Sequence, residues 1–95
     1  MVKLITPRPS FMADMDAEER AAMMAHVGYW TELLRRGHAV AFGPVADPAG
    51  PYGLGVLCAR DEGELAALLA KDPAILAERG LRHEVAPMLQ AMVRE

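Results

Sequence analysis

Between Asp16 and Arg36, apolar side chains recur at intervals of three and four: Ala22, Met23, Val27, Trp30, Leu33 and Leu34. That spacing sets them along one stripe of an α-helix, a face the helix must bury. Asp16 followed by Glu19 has capping-box spacing at its start, and Gly37 stands where a helix-ending glycine belongs. Upstream, Val2–Thr6 is a short apolar run stopped by Pro7 and Pro9. It reads as a strand entering a loop over Pro7–Met15, which Phe11 and Met12 would order.

After Gly37 the period changes. His38–Val45, carrying Val40, Phe42 and Val45, predicts a strand. Asp47-Pro48-Ala49-Gly50-Pro51 is dense in turn formers and predicts a hairpin connection. Tyr52–Ala59 is the returning strand, with Tyr52, Leu54, Val56 and Cys58 on one side and Gly53, Gly55, Leu57 and Ala59 on the other. Neither side is polar, as in strands covered on both faces. Cys58 is then a small core residue. Asp61 and Glu64 repeat the capping spacing, and Leu65, Leu68 and Leu69 stripe a second helix that Lys71-Asp72-Pro73 ends. Pro73–Gly80 is a short irregular or helical turn. Leu81–Val93 alternates in an extended pattern, and Pro87 within it demands an edge position or a bulge.

The order is β-α-β-β-α-β, one α+β domain over residues 1–95. With right-handed crossovers it predicts the ferredoxin-like arrangement, a four-stranded antiparallel sheet with both helices on one face. The open face of so apolar a sheet needs a second cover, and a homodimer through that face is the simplest source. Composition sharpens this. The chain is 53% hydrophobic, high for 95 residues whose own core is limited. No apolar run is long enough to cross a membrane, and no secretory signal opens the chain. The net charge of -3, with acids and bases interspersed, lacks the basic stripe of nucleic-acid binding. A single cysteine permits no internal disulfide and no cysteine cluster for zinc. A cytoplasmic protein without a metal or other cofactor is expected.

No P-loop, dinucleotide fingerprint, metal-type histidine pair or nucleophile elbow occurs. What remains is polar residues in apolar surroundings. His26, at the margin of the helix stripe, can serve as a general base near neutral pH or simply as a boundary residue. Asp72 can form the Asp-Pro turn or hold His26 in one tautomer. Tyr29 and Trp30 line a pocket or belong to the core. Arg8, between two prolines, can clamp an anion, and Gly43-Pro44 alone is a turn. His38 and His83 fall at strand edges as surface or interface groups.

Taken together, these residues resemble a family. The helix with His26-Val27-Gly28-Tyr29-Trp30, Leu33-Leu34 and Gly37 is followed by Gly43-Pro44, the glycine-rich hairpin and an acidic-capped helix. Asp72-Pro73 and a last strand with Val85 and Pro87 complete the set. Over nearly the whole chain this is similar to the YciI-like (YCII-related) family. Phe42–Gly50 is especially similar to members from actinobacteria and related bacteria. The resemblance implies a dimeric α+β barrel and an active-site pair of His26 and Asp72. Some relatives are implicated in eliminations on chlorinated hydroxyquinone-type compounds, and neighbouring families include lactone isomerases and cofactor-free oxygenases. The chain departs from the pattern in its short first strand, which implies either fraying there or a misplaced start codon and leaves the family's pocket wall near Pro7–Met15 open, though not His26 or Asp72.

The leading expectation is a cofactor-independent enzyme in which His26 moves a proton on a cyclic or aromatic carbonyl compound and Asp72 orients it. Arg8, Tyr29, Trp30, Phe42, Gly43 and Pro44 are the candidate substrate-binding positions. The alternative is a non-catalytic, dimeric small-molecule-binding or accessory module. A concave apolar pocket at His26 favours a site that handles a ligand over a purely structural histidine.

Overall fold

The computed structural model describes residues 1–90 and Met92. Its elements are β1 (Val2–Ile5), α1 (Phe11–Asp14), α2 (Ala17–Arg35), β2 (Ala39–Val45), β3 (Tyr52–Leu57), α3 (Glu62–Ala70), α4 (Pro73–Leu76) and β4 (Arg82–Val85). The strands lie in the order β2-β3-β1-β4 with every neighbouring pair antiparallel, which is the ferredoxin-like α+β arrangement. The short β1 is not frayed. It occupies the sheet centre, where Val2 pairs with Gly55 on one side and Val85 on the other.

Both long helices start on their expected caps. The Asp16 carboxylate accepts from the Glu19 amide while Glu19 reaches back to the Asp16 amide. At α3 the Asp61 carboxylate accepts from the Glu64 amide, but Glu64 turns to the Arg60 amide and guanidinium instead of closing a box. After α2 the chain turns through Gly37 at φ +80, a conformation that glycine adopts without steric cost.

The helices share one face of the sheet and make two apolar clusters. In the first, Trp30 and Leu33 of α2 and Leu69 of α3 meet Val2 and Ala39 of the sheet. In the second, Phe11 meets Leu4, Ala74 and Leu81. Phe11 is completely buried, and burying such a ring stabilises by roughly 2–3 kcal/mol before ordering costs. That burial explains why part of the expected Pro7–Met15 loop is the short helix α1. The α2 stripe is also rotated from the expected one. Glu19, Ala22, His26, Trp30 and Leu33 are buried, whereas Val27 is 49% exposed and Leu34 is exposed as well. His26 therefore sits on the buried stripe itself, not at its margin.

The other face of the sheet is less uniformly apolar than expected. Tyr52, Leu54 and Val56 do lie there, but across β1 and β4 Lys3 is opposite Glu84 and Ile5 opposite Arg82. Lys3 also sits over the Tyr52 ring, 4.8 Å from its centre. Cys58 lies just past β3 and is exposed, so it is not a core residue. The last strand is an edge strand that stops at Val85, two residues before Pro87, and Met88 and Leu89 beyond it are exposed. The expected end of this element at Val93 lies outside the described residues. Among the described residues no helix is long and apolar enough to cross a membrane.

Gly55 faces the helices so closely that a Cβ there would overlap the indole of Trp30, while a Cβ on Gly28 in α2 would meet nothing. Gly55→Ala is expected to destabilise by about 1–3 kcal/mol. Gly28→Ala is expected to stabilise by about 0.5–1 kcal/mol through helix propensity. Urea midpoints at constant slope measure both, and a neutral Gly55→Ala would mean that the indole is not packed against β3 as described.

Candidate active site

Four donors from α2, α4 and β4 converge on one carboxylate. Asp72 ends the loop after α3 and is the N-cap of α4, with Pro73 set in the first helical position, where proline is pre-organised. Its side chain is 0% exposed. The Ala74 amide donates to Oδ1 at 3.0 Å, the expected local capping bond. Trp30 Nε1 donates to Oδ2 at 2.9 Å. His26 Nδ1 lies 2.8 Å from Oδ1 and 2.9 Å from Oδ2, and His83 Nε2 lies 3.2 Å from Oδ2. An ionised carboxylate only accepts, so each of these ring nitrogens carries a proton. His26 and Trp30 reach it together because they are four residues apart on one face of α2.

Burial by itself would push the Asp72 carboxyl up. The hydrogen bonds from His26, His83 and Trp30 oppose this, helped by the charge His26 can carry, and they hold it well below the usual carboxylate range. Asp72 is thus ionised wherever the protein is folded near neutral pH. His26, with Nδ1 committed to Asp72, has its lone pair on Nε2 when neutral. No buried side-chain nitrogen or oxygen lacks a partner among the described residues, and Nε2 bonds to none of them, so Nε2 is accessible. His26 as a whole is 8% exposed.

The space that Nε2 meets is a cavity of about 440 Å³ between α2 and the helix-facing side of the sheet. Val2, Leu4, Gly53 and Gly55 form the sheet side, while Met15, Met23, Met24 and Val27 form much of the opposite wall. Trp30 packs against both His26 and Phe42, with ring centres 6.0 and 5.8 Å away. The volume falls in the range of small-molecule sites, and the lining is overwhelmingly apolar.

Of the candidate residues, the structure brings His26, Trp30, Phe42, Gly43 and Pro44 to this cavity and sets Asp72 directly behind His26. It does not bring Tyr29 or Arg8 there. The Tyr29 hydroxyl donates to the Leu68 carbonyl at 2.6 Å, tying α2 to α3, and burial pushes its phenol up with the Asp72 charge adding to the effect. Arg8 grips Glu19 through two 2.8 Å hydrogen bonds and also bonds Asp14. Those bonds to Arg8, with the Asp16 amide, lower the Glu19 carboxyl to about 2. Arg8 thereby fastens the segment before α1 to the start of α2.

His83 is not the surface or interface group expected of a strand edge. The alternation that runs through Val85 carries back to it, so His83 shares the helix-facing side opposite Leu4. That period-two signal was present in the sequence. Arg20, which also lines the cavity, carried no comparable signal. His26 and His83 both aim a nitrogen at Asp72, and among the described residues no three His, Cys, Asp or Glu side chains converge as metal ligands.

In Asp72→Asn, whichever oxygen becomes the amide nitrogen, at least one buried N–H loses its acceptor. The expected loss is about 2–4 kcal/mol at neutral pH. Because the folded-state carboxyl is lowered, its contribution is complete above the unfolded value of about 4 and fades as pH falls below it. Stability of the parent should therefore drop more steeply than that of Asp72→Asn between about pH 5 and pH 2. Urea unfolding across this range measures the slopes. Long-range ¹⁵N–¹H spectra should show His26 protonated at Nδ1 in the parent and mixed between tautomers in the variant.

Neither a curated protein nor a solved structure matches the chain significantly. The YCII-related domain matches residues 1–89, nearly the full length. A ferredoxin-like sheet carrying a histidine and an Asp-Pro aspartate in contact beside an apolar cavity accompanies that match, and the chain belongs to the YCII-related domain family.

Proposed function

We propose that this protein is a cofactor-independent enzyme that moves a proton on a cyclic or aromatic carbonyl compound held in the apolar cavity. The observation that carries the reading is His26, whose Nδ1 is bound to a buried ionised aspartate and whose Nε2 opens on that cavity. Nε2 takes the proton from the carbon next to the carbonyl, and the C–H electron pair moves through to the carbonyl oxygen as an enolate. The imidazolium formed on His26 is stabilised by Asp72, which stays ionised. Return of the proton to a different carbon gives isomerisation. Collapse of the enolate with loss of a group from the adjacent carbon gives elimination, the proton remaining on His26 until water removes it. The scarcity of polar lining strengthens these charge interactions because little water competes.

A suitable probe is 2-tetralone in D₂O, with exchange at the carbon beside the carbonyl followed by proton NMR. The parent should accelerate exchange over buffer, and His26→Gln should lose about 100-fold or more of that rate. Asp72→Asn should lose less, since the base remains but is no longer oriented. No acceleration by the parent, or full activity in His26→Gln, would sink the catalytic reading and leave a small-molecule-binding module in the same cavity.

The proposal includes a homodimer formed through the open sheet face. Tyr52, Leu54 and Val56 are half-buried on that side with no helix of the described residues above them, and two-fold pairing is the commonest way to cover such a surface. Val56 does not line the cavity, so it tests the interface apart from the site. Light scattering on size-exclusion peaks should give a dimer for the parent and a monomer for Val56→Asp. A monomeric parent at micromolar concentration would overturn the dimer.

A further inference from the structure

Arg20 lies on the same wall of the cavity as His26, toward the start of α2. Every other arginine among the described residues is committed to a carboxylate. Arg8 pairs with Glu19 and Asp14, Arg35 and Arg36 with Glu32, Arg60 with Glu64, Arg79 with Glu18 and Arg82 with Glu84. Among the described residues Arg20 makes only a long 3.5 Å contact to the Met15 carbonyl. The nearest acid one helical turn before it, Asp16, is occupied as the α2 cap. One turn after it come Met23 and Met24, which cannot accept from it as a carboxylate does. Among the described residues no Asp or Glu lines the cavity, so its ionic character comes from Arg20 and the two histidines.

A guanidinium without a carboxylate, set against an apolar chamber, favours a planar anion that accepts two parallel N–H bonds. The six-residue offset between Arg20 and His26 is about 9 Å along the helix axis, roughly the length of a fused two-ring compound. We propose that Arg20 is a specificity-determining residue that makes this site select ring compounds bearing a carboxylate over their neutral counterparts. The anion sits at Arg20, the rings fill the methionine-lined space, and the reacting carbon is presented to His26 Nε2. This rests on the reading of the cavity as a ligand site.

Calorimetric titration of the full chain with 2-naphthoate and with its neutral amide, 2-naphthamide, at low salt tests it without requiring turnover. The parent should bind the carboxylate about tenfold more tightly than the amide. Arg20→Gln, a change at an exposed position, should bring the carboxylate down to the amide's affinity and leave the amide unchanged. His26→Gln should keep the preference, which separates Arg20 from the histidines as the anion's partner. Equal affinities in the parent, or a preference that survives Arg20→Gln, would overturn the assignment while leaving the proton-transfer reading standing. Failure of both compounds to bind would overturn the ligand site and this assignment together. A preference lost in Arg20→Gln, with no exchange of 2-tetralone, would support the assignment and remove only the catalytic reading.

Discussion

The buried carboxylate of Asp72 is the constraint around which the rest is arranged. It has no contact with bulk water, and a charge in that position is tolerated only when its lone pairs are filled. Four donors fill them, and they come from separate parts of the chain: two from α2, one from the first turn of α4 and one from β4. Trp30 belongs to one apolar cluster and Ala74 to the other, so the same group joins the two halves of the core. Removing any donor leaves a costly gap at the centre, which is why the register of β4 and the rotation of α2 are set together.

The rotation of α2 has a second consequence. With Glu19, Ala22, His26, Trp30 and Leu33 turned inward, Met23 packs at the edge of the second cluster, and the exposed Met24 and Val27 line the space beside it. Beneath them, β3 presents glycines. Gly55 admits the Trp30 indole, and Gly53 brings β3 against Leu4 of the central strand. Large side chains on one side and missing ones on the other leave the cavity, with the Nε2 edge of His26 on its wall. The opening therefore follows from the packing that completes the Asp72 network, and not from a loop laid over the surface. An orienting carboxylate held this rigidly can keep one imidazole tautomer facing a ligand, the property the proposed chemistry draws on.

Arg8 and Arg20 show how alike two residues look in sequence and how differently they end. Arg8, between prolines, has the appearance of an anion clamp, yet Glu19 is drawn inward by the capping box and takes its guanidinium. Arg20, one residue after Glu19, takes no part in that exchange and lines the cavity instead. Which arginine remains available is decided by where nearby carboxylates are positioned, and that depends on the helix phase.

What the sequence by itself determined is the local and repetitive part: the long helix with its Asp16 cap and Gly37 exit, the hairpin connection at Asp47–Pro51, the turn at Asp72-Pro73 and the β-α-β-β-α-β order. These rest on interactions within a few residues or on a period, and both are written linearly. The family resemblance further named His26 and Asp72 as a pair, although spacing could not show that residues 46 positions apart touch. Only the tertiary structure decided that contact, the recruitment of Trp30 and His83 to the same carboxylate, the burial of Phe11 that turns a loop into α1, and the charges on the open sheet face. Each depends on which way an element is rotated or registered against its neighbours. A shift of one strand residue or a small turn of the helix exchanges inside for outside, and long-range packing alone selects between them.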